Sequence, residues 1–140
     1  MAVVSIRFSD PVHHERLRAA AARSGQAVSP LAERLIEEGL RMEDHPSVVF
    51  RSGPGGRRAA LVSGPEVVDV VGAIVGGEVP VDERRARAAE LLAISPADVD
   101  AAMAYYAEFT AEVDAERERR AQAADEAEEA WRRRRDLMGS

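Results

Sequence analysis

The sequence predicts a mainly α-helical protein with one short β-strand at its N-terminus. Apolar and polar residues alternate from Val3 to Asp10, as they do along a half-buried strand. Apolar residues then recur at helical spacing in several later segments, with Gly and Pro residues between them. After Pro96 no glycine or proline occurs before Gly139, which predicts one long C-terminal helix of about 60 Å.

Two helices are expected after the strand. Pro11 fits the first turn of a helix that is capped by Asp10 or Ser9 and ends at Gly25. Ser29 predicts the cap of a second helix, which continues to residue 42. The apolar stripe of that second helix consists of Leu31, Leu35, Ile36 and Leu40.

The middle of the chain predicts a small hairpin-plus-helices module. A Gly-Pro-Gly-Gly turn between β-branched residues predicts a β-hairpin over residues 47–62. An apolar helix is expected to start at Pro65, and Asp82 is expected to cap a further helix that ends at about Leu92. Ser95, followed by proline, is a strong N-cap for the next helix.

Composition narrows the possible classes of function. The 140 residues include no cysteine, no apolar run of membrane-spanning length and no signal peptide, so a cytoplasmic protein is expected. The net charge of −6 divides unevenly, with about +1 on residues 1–42 and about −7 on the rest. His13 and His14 point to different sides of a helix, and no catalytic or metal-binding grouping stands out. We therefore expect no enzyme, no cofactor and no bound metal.

The stretch from Val3 to Arg41 resembles the ribbon-helix-helix (CopG/Arc-like) family of DNA-binding repressors. The resemblance rests on the alternating strand, the exit from Phe8 to Pro11 and the segment SGQAVSPLAERLIEEGL. It implies a homodimer in which the strands of two chains pair antiparallel and four helices intertwine. The dimer core that it implies consists of Val4, Ile6, Phe8, Leu17, Leu35 and Ile36, together with Val28 and Leu31.

The same resemblance implies how the head would bind double-stranded operator DNA. Val3, Ser5 and Arg7 would face outward on the two-stranded ribbon and contact bases in the major groove. Arg7 can donate two hydrogen bonds to guanine, whereas without the family pattern it would be an ordinary solvated arginine. Ser29 and Arg23 would contact phosphates, the former at the positive end of a helix dipole.

The middle of the chain resembles an uncharacterised small domain that often accompanies antitoxins of the VapB type. The residues that carry this resemblance are GGRRAALVSGPEVVDVVGAIVGG and LLAISPADVDAAMAYYAEF. The resulting domain organisation is a DNA-binding head over 1–42, a middle module over 45–111 and a charged C-terminal helix over 112–140.

The C-terminal helix is a candidate toxin-binding segment, because small regulators with this type of head often inhibit a co-expressed toxin with their C-terminal part. An arginine of the tail could enter the acidic, metal-binding pocket of a PIN-type ribonuclease. Alternatively, the arginines only balance neighbouring acids, and the aromatic residues pack into the middle module. The predicted toxin-binding residues are Tyr105, Phe109, Trp131, Arg132, Arg134 and Arg135.

The sequence thus predicts an antitoxin of a type II toxin–antitoxin pair that represses its own operon. One alternative is a stand-alone ribbon-helix-helix regulator whose C-terminal helices mediate oligomerisation. Another is a helical adaptor that never touches DNA. None of these functions requires a membrane or a small-molecule substrate.

Overall fold

The computed structural model describes residues 1–139. The chain divides into two compact units, of which the first comprises residues 1–44 (the head) and the second begins at His45 (the body). The elements are α1 (Pro11–Ser24), α2 (Val28–Asp44), β1 (Val48–Gly53), β2 (Gly56–Leu61), α3 (Val67–Ile74), α4 (Val81–Leu92), α5 (Pro96–Glu108) and α6 (Thr110–Gly139). The predicted mainly helical class is confirmed. Over residues 1–139, no helix combines the length and the hydropathy needed to cross a membrane.

The predicted N-terminal strand is wrong for the single chain. Residues 1–8 form no strand, and both strands lie in the body, where they pair with each other. A strand exists only where its backbone groups bond to a neighbouring strand. The described strands β1 and β2 pair only with each other, so residues 1–8 have no strand neighbour within the chain.

The first helix begins and ends as predicted, whereas the second does not begin at its predicted cap. Asp10 accepts a hydrogen bond from the Val12 N–H at 2.9 Å, and Gly25 ends α1 with a left-handed φ of 64°. Helix α2 begins at Val28, so the expected capping role of Ser29 is wrong. Ser29 lies inside the first turn, because the carbonyl of Ala27 already accepts the first helical hydrogen bond, from Leu31, at 3.4 Å.

The hairpin at the start of the body is confirmed. Its register pairs Val48 with Leu61 at one end and Gly53 with Gly56 at the turn. Val48 and Leu61 are buried and form the inner end of the sheet. The Arg51 guanidinium crosses to the loop after β2, where it donates to the carbonyl of Gly64 at 2.6 Å and to that of Leu61 at 3.2 Å. The carbonyl of Leu61 also accepts the Gly64 N–H at 3.0 Å, and the bonds from Arg51 further tie the loop after β2 to the sheet.

Helix α3 lies at the centre of the body, where it contacts β2, α4, α5 and α6. It begins at Val67 rather than at Pro65, and three of its valines are at most 1% exposed. Other elements must pack around such a helix, because burying each large apolar side chain contributes about 1.5–3 kcal/mol to the free energy of unfolding. The core around it consists of Val48, Leu61, Val67, Val68, Val70, Val71, Ala88, Ala89, Val99, Ala102, Tyr105 and Val113.

The next two helices differ in how well their starts were predicted. Ser95 caps α5, since its hydroxyl accepts the Asp98 N–H at 3.1 Å. Asp82 does not cap α4, because Pro80 occupies the cap position and Asp82 lies in the first turn. There its carboxylate still favours the positive end of the helix dipole.

The predicted continuous C-terminal helix is wrong, because the chain breaks it at Phe109. This residue has φ −115° and ψ 40°, outside the helical region, and separates α5 from α6. Thr110 accounts for the break, since its hydroxyl donates to the carbonyl of Tyr106 at 2.6 Å and to that of Ala107 at 3.2 Å. Such bonds from threonine to the preceding turn bend helices.

A cluster of ion pairs, the α6 clamp (Arg58, Glu66, Asp69, Glu116 and Arg120), holds the start of α6 against the body. Arg120 donates to Asp69 at 3.0 Å, to Glu116 at 3.1 Å and also to Glu66. Arg58 lies 3.5 Å from Glu66 and 3.8 Å from Glu116. Because Glu66 and Asp69 belong to the start of α3, the clamp joins α6 to the central helix. Residues 112–120 are therefore part of the body rather than of a free tail.

The clamp shifts the pKa of Glu116. Burial alone would raise the pKa of this carboxyl, but hydrogen bonds from Arg119 and Arg120 outweigh burial and hold the pKa below 4.5. A lowered pKa in the folded state stabilises the fold above the unfolded pKa. That contribution is lost as the pH falls through the lowered value.

We expect Arg120→Met to destabilise the body by about 1–3 kcal/mol at pH 7, because it removes three charge-assisted bonds and leaves the carboxylates together. The difference from the unmodified chain should shrink as the pH falls through the lowered pKa of Glu116, because protonation of this carboxylate removes one of the paired charges. Urea unfolding followed by circular dichroism at several pH values measures both effects.

Arg119→Met is the matched control, because Arg119 pairs only with Glu116 of its own helix and its side chain is 61% exposed. We expect this control substitution to lower the free energy of unfolding by less than about 1 kcal/mol. Equal losses for the two variants would show that the clamp does not hold α6 on the body.

Candidate nucleic-acid and partner interfaces

The head leaves most of its apolar side chains uncovered. Within residues 1–44 the buried apolar side chains are Ala21 and Leu31. A pair of helices with so small a core cannot offset the entropy of ordering it. Five of the six predicted dimer-core side chains are exposed and Leu17 is half-buried; the exposed fractions are Val4 77%, Ile6 55%, Phe8 37%, Leu35 46% and Ile36 45%.

An open groove of about 410 Å³ lies in the head, between α1 and α2. Leu17, Ala20 and Leu35 give it an apolar lining, and Arg16 and Arg23 also line it. The groove contains three of the predicted contact residues, Leu17 and Leu35 from the dimer core and Arg23 from the phosphate contacts. The head therefore places cationic side chains beside the apolar surface that needs covering.

Unpaired arginines are concentrated in the head. Arg34 pairs with Glu38 at 3.5 Å, and Arg41 pairs with Glu37 at 2.8 Å. Within the described part of the chain, the other head arginines form no ion pair and no hydrogen bond; they are Arg7, Arg16, Arg18 and Arg23. In the body, only Arg87 and Arg133 among residues 45–139 share that state. The near-neutral head thus presents four free guanidinium groups.

The predicted DNA contacts are all exposed, but the single chain does not assemble them. Val3, Ser5 and Arg7 lie in the segment that forms no strand, so their shared outward face is not built. Arg23 lies in the last turn of α1, and Ser29 lies in the first turn of α2. A ribbon would need a second strand from outside the chain.

Two of the predicted toxin contacts pack inside the body. Tyr105 is fully buried, with its ring centroid 4.7 Å from that of Phe109 and 6.4 Å from that of Phe50. Phe109 is half-buried at the break between α5 and α6. Tyr105 is therefore a core residue that offers no surface to a partner, because Phe50, His45 and Phe109 pack against its ring.

Sequence reasoning did not single out His45 as part of this cluster. Its Nε2 lies 2.6 Å from the Glu108 carboxylate, and its ring packs edge-on against Tyr105 at 5.3 Å. A lone histidine next to a proline carries no sequence signal for such a contact. The pairing fixes the first residue of the body to the end of α5.

The tail of α6 (residues 121–139) lies beyond the clamp and is exposed except at Ala130. Trp131 is 53% exposed, and the Arg135 guanidinium lies 4.9 Å from its ring centroid. Arg132 pairs with Glu128 one turn earlier, and Arg134 donates to the Ala130 carbonyl at 3.4 Å. The predicted toxin contacts Trp131, Arg132, Arg134 and Arg135 thus all lie on an uncovered helix.

Among residues 1–139 there is no group of three or more His, Asp or Glu side chains that could hold a metal ion. Comparison with models of protein families, with curated proteins and with solved structures finds no match to this chain.

We expect Tyr105→Ala to destabilise the body by about 3–5 kcal/mol, the usual cost of removing a buried aromatic ring. Trp131→Ala should change stability by less than about 0.5 kcal/mol, because its side chain contacts only its own solvated helix. Urea unfolding followed by circular dichroism compares the two variants. A large loss on Trp131→Ala would mean that the tail is packed in the free protein.

Proposed function

We propose that this protein is the antitoxin of a type II toxin–antitoxin pair. In this proposal it binds operator DNA as a homodimer through an N-terminal β-ribbon and represses its own operon. It neutralises a partner toxin, a PIN-type ribonuclease, with its C-terminal half. The observation that carries the proposal is the head, which combines an uncovered apolar face with unpaired arginines.

A second copy of the head answers two needs of the single chain. Antiparallel pairing of two N-terminal segments would satisfy the backbone groups of residues 3–8, which lack a ladder within one chain. It would also bring Val4, Ile6 and Phe8 of each chain onto the exposed Leu35 and Ile36. An intertwined dimer of this kind buries the apolar surface that one head cannot bury alone.

The unpaired arginines support DNA as the ligand of the head. Four free guanidinium groups per chain give about eight in a dimer, enough to neutralise several phosphates. Arg7 would lie on the outer face of the ribbon, where its planar fork suits the two acceptors of guanine. The first 42 residues carry a net charge of about +1, so the acidic excess of the chain lies outside the proposed DNA-binding head.

The tail is the remaining candidate for toxin binding, because Tyr105 is buried in the body. Trp131 is a large exposed anchor of the kind that dominates protein interfaces. Arg132, Arg134 and Arg135 follow it on the same uncovered helix. An arginine from this run could neutralise the acidic pocket of a metal-dependent ribonuclease.

The alternative is a stand-alone regulator whose C-terminal helices mediate oligomerisation. The separation of charges in the tail favours it, with acids over residues 125–129 and arginines over residues 132–135. Both functions share the same head and differ only in the partner of the tail.

We expect Arg7→Ala to weaken binding to operator DNA by about 1–3 kcal/mol, which is roughly 5- to 150-fold, and to leave the dimer intact. Arg87→Ala is the matched control, since Arg87 is an unpaired arginine of the body. It should bind DNA like the unmodified chain. Electrophoretic mobility shift with the upstream DNA of the gene measures binding, and light scattering measures the dimer.

Unchanged DNA binding by Arg7→Ala would contradict the ribbon as the reader of the bases. Equal losses for Arg7→Ala and Arg87→Ala would indicate only a general effect of charge.

We expect a chain shortened after Ala121 to fold and to bind DNA but to lose protection against the toxin. This end point keeps Arg120 and therefore the α6 clamp, so the truncation removes only the exposed tail. Co-expression with the neighbouring gene product, read out as cell growth, measures protection. Full protection by the shortened chain would place toxin binding outside the tail.

A further inference from the structure

One face of α6 begins as packed surface and continues as uncovered surface. Val113 is buried in the body, and Arg120 binds Glu66 and Asp69 of the body. At about 3.6 residues per turn, the same face passes on through residues 124, 127, 131 and 138. We name Ala124, Ala127, Trp131 and Met138 the tail seam; all four are exposed. The tail seam is thus the continuation, beyond the body, of a face that already serves as an interface.

The charges beside the tail seam decide what can cover it. Helical spacing places Glu128, Arg134 and Arg135 next to the seam, with the acid before Trp131 and the arginines after it. A parallel second copy would set Glu128 against Glu128 and arginine against arginine. An antiparallel copy would set Glu128 against an arginine at both ends.

We propose that the tails of two copies of this chain pair antiparallel along the tail seam. In the register that matches the charges, Ala127 lies opposite Met138 of the second copy, so that a small side chain faces a large one. Trp131 then lies beside Arg134 of the second copy, and Glu128 beside its Arg135. Each contact occurs twice, because the two chains are equivalent.

This pairing covers the largest exposed apolar side chain of the tail. Trp131, at 53% exposed, and Met138, at 83%, both lose contact with water in the pair. An arginine beside the free face of the indole adds a cation–π contact to the one that Arg135 makes in the single chain. The pairing does not depend on the toxin or on DNA, so it stands or falls apart from the proposed function.

The absence of cysteine from the 140 residues allows a direct test. Two differently tagged full-length chains, one carrying Ala127→Cys and the other Met138→Cys, are co-expressed and oxidised. We expect a disulfide between the two tags, and no disulfide between like tags, because only opposite positions come within the distance of about 7 Å that a disulfide can span.

Gln122→Cys replaces Ala127→Cys in the matched control, because Gln122 lies on the opposite side of the helix. We expect the mixed disulfide to exceed that of the control by at least roughly tenfold. Like-tag disulfides in place of the mixed one would overturn the antiparallel arrangement. A yield of mixed disulfide no higher than that of the control would show that the tails do not pair.

A charge exchange tests the register. We expect Glu128→Arg in the Ala127→Cys chain to lower the mixed disulfide severalfold, and Arg135→Glu in the Met138→Cys chain to restore it. Circular dichroism of each variant shows that the exposed helix is retained. If neither substitution changes the yield of mixed disulfide, the proposed register is wrong.

Discussion

The body depends on the need to surround α3. Val67, Val70 and Val71 are fully buried, so β2 and three other helices pack around the apolar side of this helix. Valine is a modest helix former, and packing rather than intrinsic propensity keeps these residues helical. The polar end of the same helix then anchors α6, because Glu66 and Asp69 point their charges at Arg120. One short helix thereby fixes both the core of the body and the start of its longest helix.

The head differs from the body in having almost no buried core. Its first helix is capped at both ends, yet the buried apolar side chains of the head amount to Ala21 and Leu31. Capping bonds stabilise helix ends by about 1 kcal/mol each and cannot replace a core. An element with good local structure and an uncovered apolar face is typical of a chain that completes its fold with another copy. The contrast between the two units is therefore the strongest physical support for a dimer.

Local signals in the sequence predicted the elements whose causes are local. Asp10, Gly25 and Ser95 act through bonds to adjacent residues, and each has its predicted role. The break at Phe109 could not be predicted, because threonine also occurs inside unbroken helices and its sequence position does not show that Thr110 will bond to the preceding turn. Helix α4 ends at Leu92 as predicted, although the next residue, Ala93, adopts a left-handed φ of 54° where a glycine would be expected.

The predicted site residues divide in the same way, into those whose placement follows from local spacing and those whose placement depends on distant residues. Helical spacing placed Trp131 and its arginines on a common solvated segment, and the structure exposes all of them. The burial of Tyr105 depends on Phe50 and His45, which lie more than fifty residues earlier. Contacts between such distant residues produce no periodic pattern in the sequence. The proposed outward face of Val3, Ser5 and Arg7 would need a strand from a second chain, and residues 1–8 form no strand in the single chain.

Trp131 links the two roles proposed for the tail. A helix face can hold one partner at a time, so a toxin that binds the tail seam must first separate two paired tails. Because only an unpaired tail could bind the toxin, pairing would lower the apparent affinity for the toxin in proportion to the fraction of tails that are unpaired. Tails held close by a dimeric head would pair more strongly than separate ones, through their effective concentration. A change that weakens pairing alone, such as Glu128→Arg, would then increase toxin affinity, whereas loss of Trp131 would remove both interactions.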